Sequence, residues 1–194
     1  MPSLTFRIKK RADADAQLIL VREDGSQTYG PFGPADGYGP VHDLTHYVIE
    51  STLGLGDGFL GLVAGGWEIK DFEVKGMAKR LPPEAFFAEN AAGELSRQLL
   101  MRQVSSVEDF LWVLDMQIAK SGVPYARPEI TQQQFDGIVV RIRAEWAKWR
   151  ELPPNGTIEL HFSVERRSTV APPTDAERAE RPANTKPAHA KQGR

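Results

Sequence analysis

Apolar residues occupy every second position in two stretches, 4–8 and 158–164, and a third apolar stretch spans 17–22. A period of two is typical of strands that bury one face and expose the other. The first and third stretches are separated by a short polar segment, which favours a hairpin. The pattern therefore predicts an N-terminal hairpin and a C-terminal strand.

Between these strands, apolar residues recur at three- and four-residue spacing, which is typical of helices with one buried face. This spacing predicts helices over about 40–53, 58–65, 83–103, 105–122 and 131–152. Two of them begin with a capping-box pattern, Ser105 with Glu108 and Thr131 with Gln134, in which side chains bond the free amides of the first turn.

Strands at both ends with helices between them predict an α+β domain over residues 1–165. We expect a small antiparallel sheet packed against four to five helices. The stretch 24–40 contains five glycines and three prolines and predicts a long loop that leads into the helix 40–53. Three glycines in the helix 58–65 weaken it, so we expect close backbone packing there.

The composition changes after residue 165. Residues 166–194 contain four prolines and no Phe, Trp, Tyr, Ile, Leu or Met, so they have little apolar surface to bury. Seven basic residues against three acidic ones make this segment positive. We predict a disordered tail, which acts either as a solubilising extension or as an arm for an anionic partner.

The composition of the whole chain excludes several classes of partner and of metal site. The 194 residues include 24 Lys and Arg against 26 Asp and Glu, and this balance disfavours nucleic acid as a partner. With no cysteine, any metal site must use His, Asp or Glu. No apolar stretch approaches the roughly 18 residues of a membrane span, and the N-terminus lacks the pattern of a signal peptide. We therefore expect a cytoplasmic protein with no membrane contact.

Three polar residues share one face of the predicted helix 40–53. His42, His46 and Glu50 follow one another at four-residue steps. Two imidazoles at this spacing can bind one metal ion, and the spacing is similar to that in the two-histidine helices of zinc hydrolases. Glu50 lies about 12 Å along the axis from His42, too far to share that ion. We expect Glu50 either to orient His46 or to act as a catalytic base.

His161 and Asp43 could also belong to this candidate site. His161 lies on the polar side of the C-terminal strand, and it would form a three-histidine zinc site if that side met the helix. His42 is expected in the first helical turn, where the helix dipole keeps imidazole neutral. Asp43 at the same end is expected to stabilise the helix rather than to bind metal.

The sequence is consistent with two functions. In the first, His42 and His46 bind a divalent metal, with zinc favoured, and the site activates water as in a hydrolase. In the second, the protein is a noncatalytic interaction or scaffold protein, and the histidines hold the loop 24–40 against the helix. The aromatic residues Tyr29, Phe32 and Tyr38 of that loop would then suit a protein partner or a second copy of the chain.

Overall fold

The computed structural model describes residues 1–13, 15–74, 76–123, 127–166 and 168–179. It is an α+β protein in which one face of an antiparallel sheet packs against helices, as the sequence predicts. Within these residues, no helix combines the length and the apolar character needed to cross a membrane.

The sheet contains the predicted hairpin and the predicted C-terminal strand. Its strands are β1 (Ser3–Lys10), β2 (Asp15–Arg22), β3 (Gln27–Tyr29), β4 (Gly33–Pro34) and β5 (Thr157–Ser163). The order is β3-β2-β1-β5, β4 also pairs with β2, and every pairing is antiparallel. Phe6 lies opposite Leu20 on one side and Leu160 on the other, so these three side chains share the face that is turned to the helices.

The prediction of an irregular loop over 24–40 is wrong in part. Two short strands, β3 and β4, form there because the segment folds back along the edge of β2. The segment therefore positions Phe32 and its neighbours beside the first helix, where they line a cavity.

The helices are α1 (Tyr38–Leu53), α2 (Phe59–Ala64), α3 (Pro83–Leu100), α4 (Val107–Ser121), α5 (Gln132–Glu151) and α6 (Asp175–Ala179), with 3-10 helices at Ile69–Glu73 and Met77–Arg80. The first five follow the predicted order, whereas α6 lies in the segment predicted to be disordered. The capping box of Thr131 and Gln134 is present at α5. At α4 the cap lies one residue later than predicted, because the Ser106 hydroxyl accepts the Asp109 amide.

Helix α1 occupies the centre of the fold, packed against α3, α5 and the sheet. It begins after Gly37 and ends at Gly54, whose φ of 67° lies in the left-handed region that suits glycine. The start is two residues earlier than the predicted Pro40. His42 and Asp43 therefore lie beyond the first turn, and the expected interactions with the helix dipole are not what sets their charge.

Part of the predicted tail packs against the domain. The contacts include the ion pairs Arg166–Asp57 and Arg178–Asp71 and a hydrogen bond from Trp67 Nε1 to the Val170 carbonyl. They lie beside a small second core formed by Leu62, Trp67, Met77 and Ala85. The arginines and Val170 supply contacts that the average composition of the segment does not reveal. Residues 180–194 of the predicted tail lie outside the described residues.

Candidate metal centre

Three potential metal ligands converge where α1 packs against α3. His42 and His46 on α1 and Glu89 on α3 offer ligand atoms that all lie within 4.8 Å of one another. The distance from His46 Nε2 to Glu89 Oε2 is 3.2 Å, and that from His42 Nε2 to Glu89 Oε1 is 3.6 Å. The four-residue spacing of the histidines thus places both Nε2 atoms at one carboxylate.

Glu50 holds the ring of His46 from behind. His46 Nδ1 donates to Glu50 Oε1 at 2.9 Å, and Glu50 Oε2 accepts the Leu60 amide at 2.8 Å. Glu50 is fully buried, and the backbone of Gly58 approaches its carboxylate so closely that a Cβ would have no room. The expected close backbone packing of α2 is present at Gly61, where a Cβ would collide with the carbonyl oxygens of Gly56 and Leu55. The hydrogen bond that an orienting role of Glu50 requires is present.

Tyr38 holds the ring of His42 in a similar way. The Tyr38 hydroxyl lies 3.1 Å from His42 Nδ1 and 3.4 Å from the carbonyl oxygen of Gly93. The contact with the hydroxyl fixes the orientation of the imidazole ring of His42. Nε2 of His42 then faces Glu89, the side on which a shared metal ion would lie.

The two histidines carry different charges near neutral pH. Burial lowers the pKa of His42, so its ring is neutral. Burial also disfavours a charged His46, but hydrogen bonds to Glu50 and Glu89 outweigh it and raise its pKa to about 10. Hydrogen bonds from both histidines hold the pKa of Glu89 well below its usual range. Burial raises the pKa of Glu50, against the opposing effects of His46 and the Leu60 amide.

The cluster forms one wall of a cavity of about 520 Å³. The polar residues that line it are His42, Asp43, His46, Glu73 and Glu89. The rest of the lining is apolar or glycine: Ala16, Leu18, Gly30, Pro31, Phe32, Gly33, Gly39, Pro40, Phe59, Ile69, Phe72, Leu81 and Ala85. A cavity of this size with a few convergent polar groups is the usual form of a small-molecule site.

Asp43 belongs to this cavity, which corrects its expected role at the helix end. Its side chain is partly buried and forms no hydrogen bond with any described residue. Burial raises its pKa to about 7, with Glu89 adding to the shift and His46 opposing it. A carboxyl group in this state can take or give a proton near neutral pH.

His161 does not join the cluster. The alternation along β5 places His161 opposite Thr5 on the exposed face of the sheet, while Phe162 faces the helices. The backbone carbonyl of His161 accepts the Tyr47 hydroxyl of α1 at 3.2 Å. The described structure therefore brings together two of the three predicted histidines and replaces the third with a carboxylate.

Sequence reasoning missed Glu89, because it lies 43 residues from His46 on another helix. The available signal was its position on α3. Glu89 shares a helix face with Ala85 and Ala92, both buried, so an acidic residue interrupts a face of small residues. Comparison of the chain with protein-family models, with curated proteins and with solved structures finds no match.

Proposed function

We propose that His42, His46 and Glu89 bind a divalent metal ion, with zinc as the first choice, and that the site activates water for hydrolysis. One observation carries the proposal. Each histidine has its Nδ1 held by a partner of its own, Glu50 or Tyr38, and directs its Nε2 to the same carboxylate. A carboxylate partner behind an imidazole ligand, as Glu50 is for His46, is typical of metal centres.

The ligand types suit this chemistry. Two imidazoles and one glutamate form the protein ligands of several zinc hydrolases, which leave a further position for water or substrate. In this chain the three ligand residues line the cavity, from which water or substrate would reach the ion. The role of the ion would be to lower the pKa of water and to polarise a carbonyl group.

Asp43 is the base in this proposal. It lines the cavity beside both histidines and has no competing hydrogen bond within the described residues. The water oxygen bonds to the carbonyl carbon while Asp43 takes a water proton. The bond to the leaving group then breaks, and that proton passes to the leaving group. Glu50 has a different task, since it lies behind His46 and orients the ring.

A structural role is the second candidate, and one observation favours it. Glu89 already accepts a hydrogen bond from His46 and lies near His42, so the polar network is satisfied within the protein. In this alternative His46 is a buried cation between two carboxylates. Its replacement would then cost about 1–3 kcal/mol of stability without changing any metal content.

Calorimetric titration of metal-free protein with zinc distinguishes the two candidates. We expect one zinc ion per chain, with affinity reduced by more than about 100-fold in Glu89→Gln. His161→Ala is the matched control, since it removes a histidine outside the cluster, and its affinity should equal that of the unaltered protein. Equal zinc affinity in Glu89→Gln and the unaltered protein would refute the proposal.

The hydrolytic step has its own test. Zinc-loaded protein should hydrolyse 4-nitrophenyl acetate, and Asp43→Asn should lower kcat by about 10²- to 10⁴-fold while zinc affinity changes little. A variant that keeps full kcat would exclude Asp43 as the base. Absence of hydrolysis by a protein that binds zinc would leave metal binding in place and refute the hydrolase assignment.

A further inference from the structure

The lining of the cavity identifies a class of substrate. We infer, on the basis of the proposed metal site, that the cavity takes an uncharged acyl compound, an ester or amide, whose body is an aromatic ring or a branched apolar group. The carbonyl group lies at the His42, His46 and Glu89 cluster, and the apolar body lies against the aromatic wall next to it.

The aromatic wall begins at a metal ligand. The ring centroid of Phe59 lies 5.2 Å from that of His46, and the ring centroid of Phe72 lies 5.0 Å from that of Phe59. Both phenylalanines line the cavity, and Phe32 lines it from the segment between β3 and β4. A ligand with its carbonyl at His46 can therefore place an adjoining aromatic ring against Phe59, where offset or edge contacts form.

The charges in the cavity disfavour an anion. Asp43, Glu73 and Glu89 line it, and no lysine or arginine does so among the described residues. A carboxylate on the apolar body would lose its hydration without gaining a cationic partner. At the acyl end of the ligand, a cationic group would be repelled by the divalent ion of the proposed metal site. An uncharged molecule meets neither penalty.

Binding of three related probes tests this inference. The probes are benzamide, 4-carbamoylbenzoate and acetamide, titrated by NMR chemical-shift perturbation into both metal-free and zinc-loaded protein. We expect benzamide to bind at least about tenfold more tightly than 4-carbamoylbenzoate, which carries a charge on the ring, and than acetamide, which lacks the ring. The shifts should include the resonances of Phe59 and Phe72.

Two exposed aromatic residues provide a test variant and a control variant for benzamide binding. Phe32 lines the cavity and is 53% exposed, while Tyr29 is 51% exposed and does not line it. Because neither is a core residue, both variants should fold. Phe32→Ala should weaken benzamide binding by about three- to tenfold, and Tyr29→Ala should leave it unchanged.

The outcomes separate this inference from the metal site. Preference for benzamide in both forms supports the inference, and it does so even if zinc titration shows no metal site. Equal binding of 4-carbamoylbenzoate and benzamide, equal binding of acetamide and benzamide, or unchanged binding in Phe32→Ala would overturn it. Zinc binding with any of these results would leave the metal proposal standing alone.

Discussion

His46 and Glu50 lie one turn apart on α1, and His46 Nδ1 donates to Glu50 Oε1 at 2.9 Å with both side chains buried. A buried carboxylate behind an imidazole fixes the orientation of the ring and increases its basicity. The other oxygen of Glu50 accepts a hydrogen bond from the Leu60 amide, so both oxygens of the carboxylate have a partner. This relationship makes Nε2 of His46 the atom that faces the cavity.

Glu50→Gln separates the orienting role of Glu50 from a role as base. If Glu50 orients His46, the variant should lose about 10- to 100-fold in zinc affinity and recover most of its kcat at saturating zinc. A base would show the opposite result, with unchanged affinity and a low kcat. Glu145→Gln is the control, because Glu145 is also a buried helical glutamate but belongs to α5, outside the site.

Gly58→Ala should disturb the same contact through the backbone. A Cβ at this position would collide with the Glu50 carboxylate, so we expect a loss of about 1–3 kcal/mol of stability together with weaker zinc binding. A Cβ added at Gly137 on α5 would meet no atom within 4 Å, and Gly137→Ala should be neutral or stabilising by up to about 1 kcal/mol. Thermal unfolding with and without zinc measures both effects. Equal behaviour of the two variants would contradict the packing described here.

Zinc binding should release a proton. The pKa of His46 is raised to about 10, so its ring is protonated at pH 7, and a metal ion must replace the proton on Nε2. The apparent affinity should therefore rise by about tenfold per pH unit from pH 7 towards the pKa. Calorimetry in buffers of different ionisation enthalpy gives the number of protons. Binding without proton release would show that His46 is not a ligand.

The ion pair between Arg178 and Asp71 should stabilise one wall of the cavity. Asp71 is fully buried in the 3-10 helix Ile69–Glu73, and Arg178 reaches it from α6 at 2.9 Å. Arg178→Ala removes a charged hydrogen-bond donor from a buried carboxylate and should cost about 1–3 kcal/mol in chemical denaturation.

Arg127→Ala is the matched control for that prediction. Arg127 pairs with Asp115 at the surface, where both side chains are more than a third exposed, and its loss should cost less than about 1 kcal/mol. A cost for Arg178→Ala no larger than that of the control would mean that the ion pair with Asp71 contributes little to the stability of the domain.

Local patterns were sufficient to predict most of the fold. The alternation in 4–8 and 158–164 and the helical spacing between them depend on neighbouring residues, and the structure confirms these elements. The strands β3 and β4 were not predictable in this way, since their pairing depends on the edge of β2 rather than on their own glycine-rich sequence. The contacts of residues 168–179 likewise depend on buried carboxylates elsewhere in the chain.

The same distinction between local and long-range contacts applies to the candidate site. The spacing of His42, His46 and Glu50 was sufficient to place them on one face of a helix, because that geometry is local. Glu89 comes from α3, and its approach to the histidines depends on how two helices pack. The exposed position of His161 depends on which face of β5 the helices cover, and alternation alone fixes only that Phe162 and His161 face opposite ways.

The metal content of protein purified without chelator tests the central claim most directly. Elemental analysis should find close to one zinc or other divalent transition metal per chain in the unaltered protein and in His161→Ala. The His42→Ala/His46→Ala double variant and Glu89→Gln should contain none while remaining folded by circular dichroism. Absence of metal from the unaltered protein, even after reconstitution with zinc, would contradict the claim and assign these residues to a structural network.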